Sequence, residues 1–408
     1  MRRTSLTTVI ILSLILAIPG VGHAVDLFGV EATYGGGTIT QSASSLPDLV
    51  EALINNEEAF LPLVGNDFTG SLTYYGIPDA VTIEVTGDTQ LRVTSPLTGL
   101  DRTFTGTDRE DLEEQLTDWL LEEGGSEVAA LTREAAERSA AAITDGNPSS
   151  ATARMADRAF GTFAMYPVPH ATSGSVPDSH MGIWFHTKQS EADTPVGTAD
   201  GADYELHLPW SLNFGRHVSL IGVGGGQYMD TEGTESYGGG MDLGLGIRPV
   251  VRDPGGGFGW QITPFAGIHG IGTYDGAVGG LLDQFGVANR FEFKLSQDIL
   301  LVIANQYSHF DSIELEIEDV EIDPELDQDV LKNGIMIDLA LSATDGIYVN
   351  TFFVDTRFLE DAAVEDYQTL GAGLALRGRG SSLNFYVSRD FANDYSSWNA
   401  GAGLVFGL

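Results

Sequence analysis

The sequence predicts a transmembrane antiparallel β-barrel of about twelve strands (roughly ten to fourteen), preceded by a small α+β module. Three observations carry this. From about Met181 to Leu408, apolar and polar residues alternate with a period of two. The links between the alternating segments are by turns short and long. The chain opens on an export leader, yet nothing after it offers the roughly 18 consecutive apolar residues of a spanning helix, so a membrane crossing must use strands.

The clearest alternation runs from Tyr204 to Phe214. Tyr204, Leu206, Leu208, Trp210, Leu212 and Phe214 are apolar, and Glu205, His207, Pro209, Ser211 and Asn213 between them are polar, charged or proline. In a strand these two sets point to opposite faces. Twelve such segments lie near 180–189, 203–214, 217–229, 236–251, 257–272, 286–296, 299–310, 334–343, 346–357, 367–379, 381–390 and 397–408. Most reach the roughly 9–11 residues of a tilted membrane strand. Lipid-facing sets include Met241, Leu243, Leu245 and Ile247; Ile335, Ile337, Leu339 and Leu341; and Ala402, Leu404, Phe406 and Leu408. The opposite set lines the lumen: Glu205, His207, Asp242, Arg248, Arg290, Glu292, Lys294 and Asp338. Trp184, Tyr204, Trp210, Tyr228, Trp260, Tyr348 and Trp398 lie near strand ends, as interfacial aromatics do. A soluble β-sandwich or lipocalin-like barrel, with its apolar face inward, is the competing reading.

Short turns fall at Gly215-Arg216, Arg252 to Gly256, Ser296 to Asp298, Thr344-Asp345 and Gly380. Longer polar links lie at 190–202, 230–235, 273–285, 311–333, 359–366 and 391–396. Short turns on the periplasmic side and longer loops outside are the pattern of membrane barrels. It puts both barrel termini, and with them the module, in the periplasm.

The leader has Arg2 and Arg3, an apolar stretch from Thr7 to Ile18, and Gly22-His23-Ala24 as a cleavage site. The divisions are therefore 1–24 signal peptide, 25–169 module with linker, and 170–408 barrel. Glycine marks the last boundary: residues 170–408 hold 35 of the 51 glycines. In the module, Val81 to Val85 and Leu91 to Val93 flank Gly87-Asp88 as a hairpin, and Arg102 to Phe104 makes a third short strand. Thr107 and Glu110 suggest a capping box, ahead of Leu112, Leu116, Trp119 and Leu120 at helical spacing. A second helix is expected from Ser126 to Ile143, and an earlier one from Pro47 with Leu49, Leu53 and Ile54. Arg154 to Pro169 fits a short helix or an extra strand. Val25 to Thr40 alternates weakly and fits a strand of either part.

The chain is acidic, with 58 Asp and Glu against 20 Lys and Arg, which excludes nucleic acid as a partner. It has no cysteine, so neither disulfides nor a thiolate site enter the argument. Ten carboxylates and no basic residue fall between Asp311 and Asp329. Carboxylates can hold Ca²⁺ through hard oxygen ligands, and Glu318, Asp319, Glu321 and Asp323 are the candidates. The alternation of Ile313, Leu315 and Ile317 with acids favours a solvated, charged hairpin over a metal site, and no cofactor is expected. Ser308 and His309 are adjacent, hence on opposite faces, which leaves a membrane-embedded hydrolase without its nucleophile–base pair. The glycines at 222–226 and 255–257 lack the Lys-Ser/Thr of a phosphate loop. No catalytic residue is assigned.

On these strands and links, residues 180–408 resemble the Gram-negative outer-membrane β-barrel class, porin-like in general form. The resemblance implies outer-membrane lipid and the barrel-insertion machinery as partners. It departs at the C-terminus, where the usual aromatic residue is replaced by Leu408. The expected function is a passive channel or transport barrel for small solutes. The alternative is a non-conducting structural or surface-interaction protein with acidic, cation-binding external loops.

Overall fold

The computed structural model describes residues 26–408, apart from 44–47, 50–51, 54–60, 64, 123–129, 132, 136–137, 140–146, 166–178, 196, 232–233, 253–256, 274–277, 314, 318–319, 323–325, 343–345 and 379. The export leader and the side chains of the Ca²⁺ candidates Glu318, Asp319, Glu321 and Asp323 lie outside the described residues.

The module is built on a six-stranded antiparallel sheet. Its strands are β1 (Phe28–Tyr34), β2 (Gly37–Ala43), β3 (Phe68–Tyr74), β4 (Ile77–Thr86), β5 (Gln90–Thr94) and β6 (Asp101–Thr105), in the order β2-β1-β3-β4-β5-β6. The weakly alternating N-terminal segment is thus sheet, not barrel. Helix α1 (Arg109–Glu122) covers one face through Leu112 and Trp119, which pack with Val85, Leu91, Val93 and Phe104. Its N-cap is one residue later than Thr107. Asp108 Oδ1 accepts from Asp111 N at 3.1 Å, and Asp111 Oδ2 accepts from Thr107 N at 2.8 Å. Hydrogen bonds from Gln115 and from Thr107 hold the Asp111 carboxyl below its ordinary pKa.

Helix α2 (Ala151–Phe160) follows and widens into a π-helical turn at Gly161–Met165. Then come twelve barrel strands: β7 (His180–Thr194), β8 (Gly197–Asn213), β9 (Val218–Thr231), β10 (Thr234–Val250), β11 (Gly257–Thr273), β12 (Val278–Lys294) and β13 (Ile299–Ile313). After a small hairpin, β14 (Leu315–Ile317) and β15 (Val320–Ile322), the barrel resumes with β16 (Asp327–Ser342), β17 (Ile347–Phe358), β18 (Asp366–Arg377), β19 (Ser381–Phe391) and β20 (Tyr395–Gly407). Neighbouring strands pair antiparallel throughout, and β20 closes on β7 with Gly401 opposite His186. Each of the twelve expected segments is a strand.

The strands run further than the apolar pattern. The link between β7 and β8 narrows to two residues, because Glu191 to Thr194 pair with Gly197 to Asp200. Backbone pairing needs no apolar face, so hairpins continue past the lipid-facing belt with polar side chains on both sides. The two barrel ends therefore differ less in loop length than in projection and charge. One end carries the projecting hairpins with Glu191, Asp193, Asp200, Asp230, Glu235 and Asp327, and is called the acidic end below. The other carries short turns and Arg216, Arg252 and Lys294; Gly215 and Gly380 there adopt φ of +85°, which favours glycine.

The module packs on the acidic end, not on the short-turn end that sequence favoured. One hydrophobic cluster joins Phe28, Tyr74, Tyr75 and Ile77 of the sheet to Ala151 and Met155 of α2 and to Ala199, Met229, Ile271, Leu282 and Phe310 of the barrel mouth. Tyr75 holds a φ of +47°, unfavourable for a bulky residue. Packing keeps it there, with its ring edge-on to Phe28 at 5.1 Å and to Tyr74 at 5.0 Å. Burial raises the pKa of its phenol well above the ordinary value. The chain then runs through the barrel: α2 starts at the acidic end, and β7 starts at the other.

Candidate functional site: the occupied lumen

Side chains on even positions of β7 and odd positions of β8 point inward, and the pattern continues around the barrel. Outward, Leu206, Leu208 and Leu245 are 46%, 45% and 44% exposed. Met181, Ile183, Met241, Leu243, Ile335, Ile337, Leu374 and Leu404 join them in an apolar belt. A monomer exposes so wide an apolar surface only where something apolar covers it. A soluble barrel would have these side chains inside. The architecture is that of a closed twelve-stranded transmembrane β-barrel with its apolar face outward.

No protein-family model and no characterised protein matches the chain by sequence. Among solved structures, it is similar to the translocator domain of the autotransporter NalP from Neisseria meningitidis, at 12% identity and TM-score 0.43, over 59% of this chain and 91% of that one. The transport unit of the autotransporter AIDA-I from Escherichia coli gives 8% identity and TM-score 0.40, over 62% and 97%. An outer membrane channel from Pseudomonas putida F1 gives 8% identity and TM-score 0.40, over 61% and 98%.

The lumen holds α2, the segment that sequence assigned to the module as a linker. Of its ten residues, all but Asp157 are buried. Serine 150 caps it, accepting from Ala153 N. Small residues let it lie close to the wall, Ala151, Ala153 and Ala156 at the mouth and Ala159 deeper in, and Phe160, Phe163 and Met165 fill the gaps. The phenyl rings of Phe163 and Phe265 stack at 4.8 Å. Glycines on the wall make the seat. A Cβ at Gly334 would lie 2.9 Å from Phe160 Cζ, and one at Gly244 would lie 3.0 Å from Phe163 Cε1.

Every charge on α2 is matched by the wall. Arg154 donates to Asp203 Oδ2 and Glu205 Oε1. Arg158 Nε donates to Asp242 Oδ2 at 3.1 Å, and its Nη2 to His269 Nδ1. His269 in turn donates from Nε2 to Asp242 Oδ1 at 2.7 Å, which fixes its tautomer. Asp157 pairs with Lys332, whose ammonium also donates to Thr356 at 2.7 Å and Tyr367 at 3.1 Å. Polar wall groups satisfy the helix backbone too. Gln306 Nε2 donates to Ala156 O at 3.0 Å, and Arg290 Nη1 donates to Ala164 O and Met165 O at 3.1 Å each.

The eight sequence-derived lumen positions fall into three groups. Glu205, Asp242 and Arg290 contact the helix as described. His207 donates to Glu205 Oε2 at 2.7 Å, and Glu292 bridges Arg290 and Arg252 at 2.8 and 2.9 Å. Near the short turns, Arg248 donates to Gln261 at 3.0 Å, and Asp338 pairs with Arg377 at 3.0 Å. Lys294 is half-buried at that end. Sequence reasoning missed Asp203, His269, Lys332 and both helix arginines. Trp184 was misplaced: it points inward, over Gly403, because its even position belongs to the lumen set of β7. Ser308 is buried and accepts from Gln284 Nε2 at 3.1 Å and Gln306 Nε2 at 3.0 Å, while His309 meets Asp329 at 2.9 Å on the other face. Among the described residues no group of three or more His, Asp or Glu is arranged to hold a metal.

The glycine seat gives a direct test. Valine at Gly244 has no room beside Phe163, so Gly244→Val is expected to push the helix off the wall and raise ion conductance in planar bilayers. Unchanged conductance, with the barrel folded, would show that the helix is not seated there.

Proposed function

We propose that this protein is an outer-membrane anchor, closed by its own helix, that presents the N-terminal module at the acidic end. The observation that carries this is the pairing of Arg154, Asp157 and Arg158 with Asp203, Glu205, Lys332, Asp242 and His269 across the lumen. Charges paired and buried in this way fix a position, since releasing the helix leaves several uncompensated charges on the wall. A passive channel has no use for such a match. In this reading the acidic end faces out, and the module with it. The belt meets outer-membrane lipid, and assembly uses the barrel-insertion machinery.

Two measurements test it. Native protein in planar bilayers should show no sustained conductance; a steady open pore would return the function to a passive solute channel. A tag inserted at the exposed Gly65 turn of the module should be labelled on intact cells, together with one near Glu321. Labelling of the module only after the outer membrane is broken would place it in the periplasm and sink the display reading.

The channel reading keeps one observation in its favour. The helix does not fill the lumen, and a cavity of about 190 Å³ lies beside it.

A further inference from the structure

One arginine stands on the lipid-facing surface. On β19 the odd positions Val387, Arg389 and Phe391 point outward, while Ser388 and Asp390 between them are buried on the lumen side. Arg389 faces Leu370 of β18 and Trp398 of β20. Leu370, Trp398 and Val387 are 53%, 60% and 53% exposed, so this row still belongs to the apolar belt. One row nearer the acidic end, Phe391 faces Gln368 and Ser396, and the wall turns polar. Arg389 therefore marks the edge of the belt. An outward arginine is costly at the midplane of a bilayer and cheap at this level, where aromatic residues such as Trp398 also gather.

Its guanidinium is held in place yet unpaired. The cation lies 5.2 Å from the ring centroid of Phe391 and 5.3 Å from that of Trp398. Neither ring offers an oxygen to the N–H donors of a guanidinium. Arg389 Nε is buried and has no hydrogen-bond partner. The other outward cations of that rim are taken: His309 meets Asp329 and Arg357 meets Asp355, each at 2.9 Å. Glu191 and Asp355 stand one row beyond Arg389 and two strands away, on either side. With 58 Asp and Glu against 20 Lys and Arg in the chain, carboxylate partners are plentiful, and among the described residues this cation pairs with none.

A charged fork at the edge of a lipid belt, flanked by two rings, suits one chemistry. Guanidinium matches the oxygens of a phosphate two at a time. The carboxylates of the acidic end repel an anionic headgroup, and Arg389 is a point on its rim that attracts one. Towards the midplane Val387 lies between Ala372 and Ala400, an apolar track for the acyl chains of the same molecule.

We propose that Arg389, with Phe391 and Trp398, is a binding site for the phosphate of a membrane lipid. The site needs only that the belt meets lipid. It does not depend on which barrel end faces out or on whether the helix closes the lumen.

The test is native mass spectrometry of the full chain, released from detergent, after titration with dioleoyl phosphatidic acid. Dioleoylglycerol, which has the same chains and no phosphate, and inorganic phosphate serve as comparison ligands. One phosphatidic acid per chain is expected to be retained, with dioleoylglycerol lost and inorganic phosphate in large excess unable to displace the lipid. Arg389→Gln should weaken retention at least tenfold. Arg389→Lys, which keeps the charge and loses the fork, should weaken it at least threefold. Arg357→Gln, whose cation already has a carboxylate, should leave it unchanged. Thermal melts establish that each variant is folded, and Arg389→Lys carries the test should Arg389→Gln fail to fold. Equal retention of dioleoylglycerol, unchanged retention in a folded Arg389 variant, or an equal loss in Arg357→Gln would each overturn the proposal. Displacement by inorganic phosphate would overturn it too, by leaving an ion site and no lipid site. Conductance judges the helix separately. A protein that conducts yet retains the lipid loses the anchor reading and keeps this one; a closed protein that does not retain it does the reverse.

Discussion

Arg158→Ala is expected to destabilise the barrel by about 3–5 kcal/mol, the cost of stranding one partner of a buried ion pair. Asp242 is fully buried and has two oxygens to satisfy. Arg158 serves one and His269 the other. Without the guanidinium, His269 also loses the partner at its Nδ1. The carboxylate must then stay charged without its guanidinium partner or take up a proton. Either way the loss should show as a lower unfolding midpoint in urea. Asp242→Asn in the Arg158→Ala background should recover part of it, because a neutral amide is cheaper to leave there, and the double-mutant cycle measures the coupling. Arg92→Ala, which removes the exposed pair with Asp101 at 2.7 Å on the module, should leave the barrel midpoint unmoved. Equal effects at Arg92 and Arg158 would mean that α2 is not held by its charges.

Leu245→Arg carries the second large effect, about 2–4 kcal/mol if the position meets the bilayer midplane. Leu245 lies on the apolar belt, and Gly244 beside it faces the helix. Charge at 245 is therefore opposed by lipid, whereas bulk at 244 is opposed by Phe163. Folding titrations in lipid vesicles separate the two: the cost at 245 should grow as the bilayer thickens around it, and the cost at 244 should not. A belt position that accepts arginine freely would undo the assignment of faces.

The barrel was legible because each of its strands carries its own signal. Tyr204 to Phe214 or Met241 to Ile247 state their two faces within a few residues, and strand pairing needs no further information. Helix α2 gave no such signal. Ala156, Phe160, Phe163 and Ala164 fit two periods, and nothing local marks Arg154 and Arg158 as interior. What makes them interior residues lies far along the chain: Asp203 is 49 positions from Arg154, and Lys332 is 175 positions from Asp157. A local pattern cannot show that a charge has a distant partner. The same limit hid Lys332 and His269. Trp184 was misjudged for a different reason, since aromatic residues suit both the interface and a lumen wall built on glycine. Strand β3 escaped because Phe68, Gly70 and Leu72 offer only one face and no turn signal as clear as Gly87-Asp88. The module's place was misread by taking the shortest path to the first strand, when the chain instead crosses the lumen to reach it.

That crossing has a mechanical consequence. Helix α2 and the turn after it, to Met165, lie inside a ring that closes only when β20 pairs with β7. A folded six-stranded sheet stands at one mouth, and at the other the chain is continuous with the ring itself. The lumen is the width of one helix and a small cavity, so the sheet is a stopper. The arrangement is a threaded one, like an axle through a wheel, and it outlasts every hydrogen bond along the helix. Pulling on the module loads the helix and its ion pairs first and the β7 end of the barrel wall behind them, and the two parts separate only when one of them unfolds.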